Sequence, residues 1–356
     1  MAILIWKSIP ITHTELNLCK VLRCGQTFRW KNINHMWSFS INDRIILLKQ
    51  DDSKLYYSQI MKTNLKGSHE ETYSYINDYF YLDLNLSEFY THWKVQHLKY
   101  KSKEVTPFDL FKGIRILQQD PWECLISFIC SSNNNVKRIS KMCENLCVNF
   151  GTYINTFENE KFYSFPTPEQ LSAPNTEGLL RDLGFGYRAK YIYQTALKFT
   201  TSEYPDINLR ELNRMKTESY DTAHAFLLQL SGVGPKVADC ICLMSLQKHN
   251  VVPIDTHVYQ IAIRDYKYNG KTLKSMNKET YNKIRLLFQG IFGDFAGWAQ
   301  SVLFASDLND LNNGKNITIE NDKKRIKIEN DDDNKRVKIE ADIDKSNLSN
   351  PIKVEV

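Results

Sequence analysis

The sequence predicts an α+β protein: an antiparallel β-sheet domain with packed helices over residues 1–105, a helical domain over 106–309 and a disordered charged tail over 310–356. Three observations carry this. The first hundred residues alternate short aromatic and β-branched runs with Asn- and Asp-rich breaks, the pattern of strands joined by turns. From about Thr106 the apolar residues recur at helical spacing instead. After about Asp310 aromatic residues vanish and Asn, Asp and Lys dominate with no amphipathic period, so little apolar surface remains to offset the entropy of ordering.

Within 1–105 the strand candidates are Gln26–Trp30, Trp37–Ile41, Ile45–Lys49 and Leu55–Ser58. Asn32-Ile-Asn34, Asn42-Asp43 and Asp51-Asp-Ser53 separate them as turns, giving an antiparallel meander. Tyr73 to Tyr100 is aromatic-rich and helical in period, suited to packing across that sheet.

In the second segment, Asp120-Pro121 pairs an N-cap residue with proline at the first helical position, so Trp122 to about Ser132 forms a helix. A polar loop, Ser131-Ser-Asn-Asn-Asn135, leads to a second helix from Val136 to Phe150, stopped by Gly151. Asn175 to Leu183 is another short helix. The turn Gly184-Phe-Gly186 ends it and presents Tyr187 and Arg188, either as surface decoration or as an aromatic and a guanidinium aimed at a ligand.

The stretch Leu228-Gln-Leu-Ser-Gly-Val-Gly-Pro-Lys-Val-Ala-Asp-Cys240 reads as helix, hairpin, helix. Thr222 to Leu230 is helical, Gly232 and Gly234 are free to take positive φ, and Pro235 starts a new helix at about Lys236. On spacing alone this is a glycine-rich corner. A turn of outward N–H groups backed by a helix N-terminus also attracts phosphate, without reading sequence. Lys236 sits at its mouth. An ordinary lysine is almost wholly protonated at pH 7, and bringing its pKa to 7–8 takes about 4 kcal/mol of ammonium destabilisation, which desolvation or a helix N-terminus can supply. Val252-Pro-Ile-Asp-Thr-His257 then delivers Asp255 to a helix N-cap. With Lys236 it makes a carboxylate beside an amine, a pair suited to breaking an N-glycosidic bond. Further on, Gln300 and Phe304 lie four apart in Phe292–Leu308, on one helix face.

Composition narrows the class. Apolar residues at 42% and aromatics at 12% suit a folded core, and the net charge of +5 leans mildly toward polyanions. The eight cysteines contain no CxxC pair, which argues against a zinc ribbon and a four-cysteine iron–sulfur cluster. They suit buried thiols in a reducing compartment. No apolar run reaches the length of a membrane span, and no secretory or mitochondrial leader is evident, so a cytosolic or nuclear protein is the default.

Lys236-Val-Ala-Asp-Cys-Ile-Cys-Leu-Met244, Pro253-Ile-Asp-Thr-His257 and Arg264-Asp-Tyr266 together resemble the eukaryotic 8-oxoguanine DNA glycosylase/AP lyase family of the helix-hairpin-helix DNA glycosylase superfamily. The resemblance implies Lys236 as the Schiff-base nucleophile and Asp255 as its carboxylate partner. It puts the Gly25 carbonyl, in Cys24-Gly-Gln-Thr-Phe-Arg-Trp30, on N7–H of the flipped base. Cys240 lines that pocket, Gln300 meets the Watson–Crick edge and Phe304 stacks on the ring. Asn133, first asparagine of the signature Cys130-Ser-Ser-Asn-Asn-Asn135, fills the gap in the duplex and Tyr187 is the wedge. Arg138 and Arg188 contact the estranged cytosine, Gly232 and Gly234 belong to the hairpin that grips the backbone, and His257 contacts a phosphate.

The partner so implied is double-stranded DNA containing 8-oxoguanine paired with cytosine, acted on by a monomer with no cofactor, metal or membrane. The hairpin departs from the family only in Pro235, and Thr256 precedes His257. Two other readings stay open: a glycosylase of the same superfamily for another base, against which Lys236 and the Gly25, Gln300, Phe304 set argue, and a module that only binds DNA.

The tail carries Lys323-Lys-Arg-Ile-Lys-Ile-Glu329, Lys335-Arg-Val-Lys-Ile-Glu340 and Ile352-Lys-Val-Glu355. Such basic clusters suit nuclear import, with a mitochondrial pool left open, and the repeated aliphatic-Lys-x-Glu pattern suits attachment of a small ubiquitin-like modifier at Lys327, Lys338 and Lys353.

Overall fold

A computed structural model describes residues 4–269, 277–308 and 311. The expectations for the charged tail and its lysines fall outside these residues. Five antiparallel strands form the sheet, β1 (Lys7–Pro10), β2 (Lys31–Ile33), β3 (Met36–Ser40), β4 (Arg44–Gln50) and β5 (Lys54–Met61), in spatial order β1-β5-β4-β3-β2. The meander β2 to β5 follows the expected order. The β2–β3 turn falls at Asn34 and His35, both with positive φ, the twist that a two-residue hairpin needs. Asp51 closes the β4–β5 turn by accepting from the Ser53 and Lys54 amides, each at 2.8 Å.

The run Ile45-Ile-Leu-Leu48 is apolar throughout because both sheet faces are covered. Side chains alternate along a strand, so Ile46 and Leu48 share one face and Ile45 and Leu47 the other. The first pair packs with Trp37, Leu55 and Tyr57 on Ile76, Tyr79 and Phe80 of a helix. Of the helices here, α1 (Leu18–Val21), α2 (His69–Phe80) and α3 (Leu86–Leu98), that helix is α2. The second pair meets Ile154, Phe157 and Phe162 of a hairpin, β6 (Tyr153–Phe157) and β7 (Glu160–Tyr163), which arrives from the helical half of the chain and was not anticipated.

Gln26–Trp30 is not a strand. Its polar groups are spent across the boundary between the two halves instead of in a ladder: Gln26 donates to the Arg115 carbonyl at 2.7 Å and accepts from the Leu117 amide at 3.0 Å. Arg29 pairs with Glu123 at 2.5 Å and donates to the Ser40 and Tyr163 carbonyls, each at 3.0 Å.

The rest is helical: α4 (Pro107–Leu110), α5 (Pro121–Ser131), α6 (Val136–Phe150), α7 (Pro168–Leu171), α8 (Thr176–Asp182), α9 (Arg188–Thr200), α10 (Leu209–Arg214), α11 (Tyr220–Leu228), α12 (Pro235–Ser245), α13 (Thr256–Tyr266), α14 (Lys278–Phe292) and α15 (Ala296–Asp307). Asp120 caps α5 through the Glu123 amide, as expected from Asp120-Pro121. Helices α5 and α12 run through the centre and are buried almost all round, which explains why their sequences show little polar face.

Candidate active site

The corner between α11 and α12 is built on Gly232. Its φ is +80°, and a Cβ placed there would stand 2.8 Å from the Tyr191 side chain, so conformation and space both demand glycine. Gly234 differs from the expectation of a second positive φ: it is extended at −95°. It caps α12 with no side chain, Pro235 follows at the first helical position, and nothing lies within 4 Å of where its Cβ would be. The helix N-terminus is therefore bare and approachable, the form an anion site takes. Helix α9 braces the corner, with Thr195 Oγ1 donating to the Ser231 carbonyl at 3.0 Å and Lys198 Nζ to the Gln229 carbonyl at 2.5 Å.

Lys236, Cys240 and Met244 follow at intervals of four on one face of α12. Asp255 caps α13, one carboxylate oxygen accepting from the Val258 amide at 3.0 Å. Lys236 and Asp255 line one cavity, shared with Gly25, Cys240, Gln300 and Phe304. All six residues expected at the reacting centre thus converge from four distant stretches of chain.

The space open to water there is about 50 Å³, room for a few waters but not a purine. Phe304 is the half-buried wall. Its ring edge stands 3.5 Å from where a Gly25 Cβ would sit and meets the His257 ring edge-to-face at 5.9 Å.

The Lys236 ammonium is held above its ordinary value, first by attraction to the Cys240 sulfur and, against desolvation, by Asp255. This opposes the lowering expected from the sequence. The leading attraction needs a thiolate, whereas burial pushes the Cys240 thiol up to about 11. Near neutral pH the sulfur is protonated, and desolvation, which outweighs Asp255, becomes the leading influence and favours the free amine.

On the outer surface, Asn133 is exposed with φ of 48°, in the loop before α6, and Arg138 is exposed on the first turn of that helix. Tyr187, 48% exposed, donates from its hydroxyl to the Ser132 carbonyl at 3.0 Å. Arg188 differs from Arg138. It is 3% exposed, lies 4.6 Å from the Tyr187 ring centre and donates to the Ser132 and Asn133 carbonyls. Its buried Nε has no partner among the described residues.

The cavity also has Cys24, Gln26, Phe128, Met244, Pro253 and Ser301 in its wall, which sequence reasoning did not single out. Met244 was legible as the third residue of the 236, 240, 244 stripe. Phe128, whose ring centre is 5.9 Å from Lys236 Nζ, gave no signal, because a phenylalanine inside an apolar helix reads only as core.

Residues 8–125 match the N-terminal domain of 8-oxoguanine DNA glycosylase, and residues 126–286 match the HhH-GPD superfamily of base excision DNA repair proteins. The chain is 37% identical over 334 residues to an N-glycosylase/DNA lyase of Saccharomyces cerevisiae, covering 84% of this chain and 85% of that protein. It is 34% identical over 306 residues to an N-glycosylase/DNA lyase of Arabidopsis thaliana, covering 85% and 80%. Among solved structures it is similar to the Clostridium acetobutylicum 8-oxoguanine glycosylase/lyase in complex with double-stranded DNA containing cytosine opposite 8-oxoguanine. That match has a TM-score of 0.69 and 27% identity, and covers 85% of this chain and 97% of the other.

Proposed function

This chain belongs to the 8-oxoguanine DNA glycosylase family, N-glycosylases/DNA lyases of base excision repair, and we propose that it excises 8-oxoguanine paired with cytosine through a Schiff base on Lys236, then nicks the strand by β-elimination. The observation that carries the proposal is the single cavity lined by Lys236, Asp255, Gly25, Gln300 and Phe304.

A base inside a duplex is out of reach, so it is rotated out at a cost of a few kcal/mol. Backbone grip at the bare N-terminus of α12, insertion of Tyr187 and occupation of the gap by Asn133 offset that cost. His257 adds a phosphate contact. Arg138, exposed on the first turn of α6, and Arg188 beside it receive the estranged cytosine. In the cavity Phe304 stacks on the base and Gln300 bonds its Watson–Crick edge. The Gly25 carbonyl accepts from N7–H, a proton that guanine lacks. That contact is worth roughly 1–3 kcal/mol, about 5- to 150-fold, so discrimination is shared with the flipping path.

The Lys236 amine attacks C1′ and the C1′–N9 bond breaks, its electron pair leaving with the base, while Asp255 stabilises the positive charge that builds on the sugar. Loss of the amine proton and ring opening give the imine. The imine acidifies C2′–H; its removal expels the 3′ phosphate and cuts the strand.

Borohydride trapping tests this. The wild type becomes covalently attached to duplex containing 8-oxoguanine, better opposite cytosine than adenine, and Lys236→Gln does not. A module that only binds DNA would give no trapped species and a Lys236→Gln variant indistinguishable from wild type. We also propose a monomer acting in the nucleus, which sedimentation of the free and DNA-bound protein and imaging with and without residues 310–356 would check.

A further inference from the structure

The nucleophile and its carboxylate partner sit on separate elements, and a buried tether joins those elements away from the cavity. Asp239, three residues beyond Lys236 on α12, is wholly buried. It accepts from the Tyr281 hydroxyl of α14 at 2.6 Å and from the Tyr220 hydroxyl of α11 at 2.8 Å, with His224 Nε2 at 3.5 Å. The Tyr281 oxygen in turn accepts from the backbone amide of Ile254 at 3.2 Å. Ile254 immediately precedes Asp255. One phenol therefore connects the helix that carries Lys236 to the segment that delivers Asp255.

We infer that Asp239 and Tyr281 are positioning residues, a clamp that fixes the distance between Lys236 and Asp255. A carboxyl group taken wholly out of water is costly to keep, and core packing alone would be met by a hydrophobic residue of similar size. Both carboxylate oxygens are bonded, so the group is held in one orientation rather than merely accommodated. Tyr220 and His224 steady the carboxylate from α11, and Arg285 of α14 stacks on Tyr220 at 4.7 Å. Among the described residues of this cluster, Tyr281 is the one bonded to both elements. A displacement of about 1 Å at a reacting pair is enough to lower rates by about 100-fold, so loss of the tether slows chemistry before it weakens DNA binding.

This inference rests on the reaction proposed above. The test compares wild type, Tyr281→Phe and Tyr220→Phe by single-turnover excision, affinity for lesion duplex, borohydride trapping and thermal melting. Tyr281→Phe keeps the ring and removes only the shared hydroxyl. Its excision rate constant is expected to fall about 10- to 100-fold, with affinity within about twofold of wild type. Tyr220→Phe, which loses a bond to Asp239 but no link to Ile254, is expected to stay within about threefold of the wild-type rate. Equal rate losses in both variants, or lowered melting in Tyr281→Phe with an unchanged rate per folded molecule, would make the network structural and overturn the clamp. If wild type traps and Tyr281→Phe excises at the wild-type rate, the clamp alone fails; if wild type does not trap, the reaction and the clamp both fail.

Discussion

At the scale of single residues, the proposed reaction turns on which neighbour decides the charge of Lys236. The Cys240 thiol is pushed up to about 11, so below that it offers Lys236 no full negative charge. The excision rate should rise with pH as the amine loses its proton. Cys240→Ala should leave that rising limb in place near neutral pH, as a pH profile under single-turnover conditions would record. A limb moved to lower pH would mean that the thiolate holds the ammonium in the resting enzyme. Gly25 adds a second residue-scale expectation. With φ of +85°, alanine there is strained by roughly 1–2 kcal/mol and its methyl touches the ring edge of Phe304. Gly25→Ala should therefore fold but excise more slowly, visible as a lower single-turnover rate with near-wild-type affinity for undamaged duplex. The positions of Lys236 and Asp255 were legible because helix-start chemistry marks both: proline and glycine before one, an N-cap position for the other. Arg188 was legible as a residue but not in its burial, because nothing local reveals that the Ser132 and Asn133 carbonyls, far away in sequence, will hold it.

Between elements, the corner of α11 and α12 and the turn carrying Tyr187 are one unit, since α9 supports both. Tyr191 of α9 packs against Tyr187 with ring centres 5.7 Å apart, and its side chain fills the space that Gly232 leaves. Gly232→Ala must strain the corner and push that ring, destabilising the fold by roughly 1–3 kcal/mol. Thermal melting should fall accordingly, and affinity should weaken alike for lesion-bearing and undamaged duplex. A loss confined to lesion duplex would argue against a backbone-gripping role. The periodicity of these helices could be read from the chain, as could β3, β4 and β5 from short aromatic and β-branched runs between Asn- and Asp-rich breaks. The Asp239 cluster could not: Tyr220, His224 and Tyr281 come from two other helices, and each alone looks like an ordinary amphipathic residue. Gln26–Trp30 was misread for the opposite reason, since its aromatic and β-branched residues are buried by a boundary rather than by a ladder.

Across the whole molecule, the sheet and the helical body are fastened through Arg29 and Glu123. Arg29 is 7% exposed, lies over the Phe39 ring at 4.9 Å and also reaches the β7 carbonyl of Tyr163. Arg29→Ala would strand a buried carboxylate and remove packing, a loss of about 3–5 kcal/mol. Chemical denaturation should show this as a lower midpoint in one shared transition, with no early melting of the sheet alone. Hairpin β6–β7 escaped the sequence analysis because Tyr153–Phe157 is short and its turn uses Glu158 and Asn159 at positive φ instead of glycine. That hairpin covers Ile45 and Leu47. During synthesis the ribosome delivers the five sheet strands first and their lid only much later, so the nascent chain waits with a greasy surface bare, a window in which chaperone capture competes with premature aggregation.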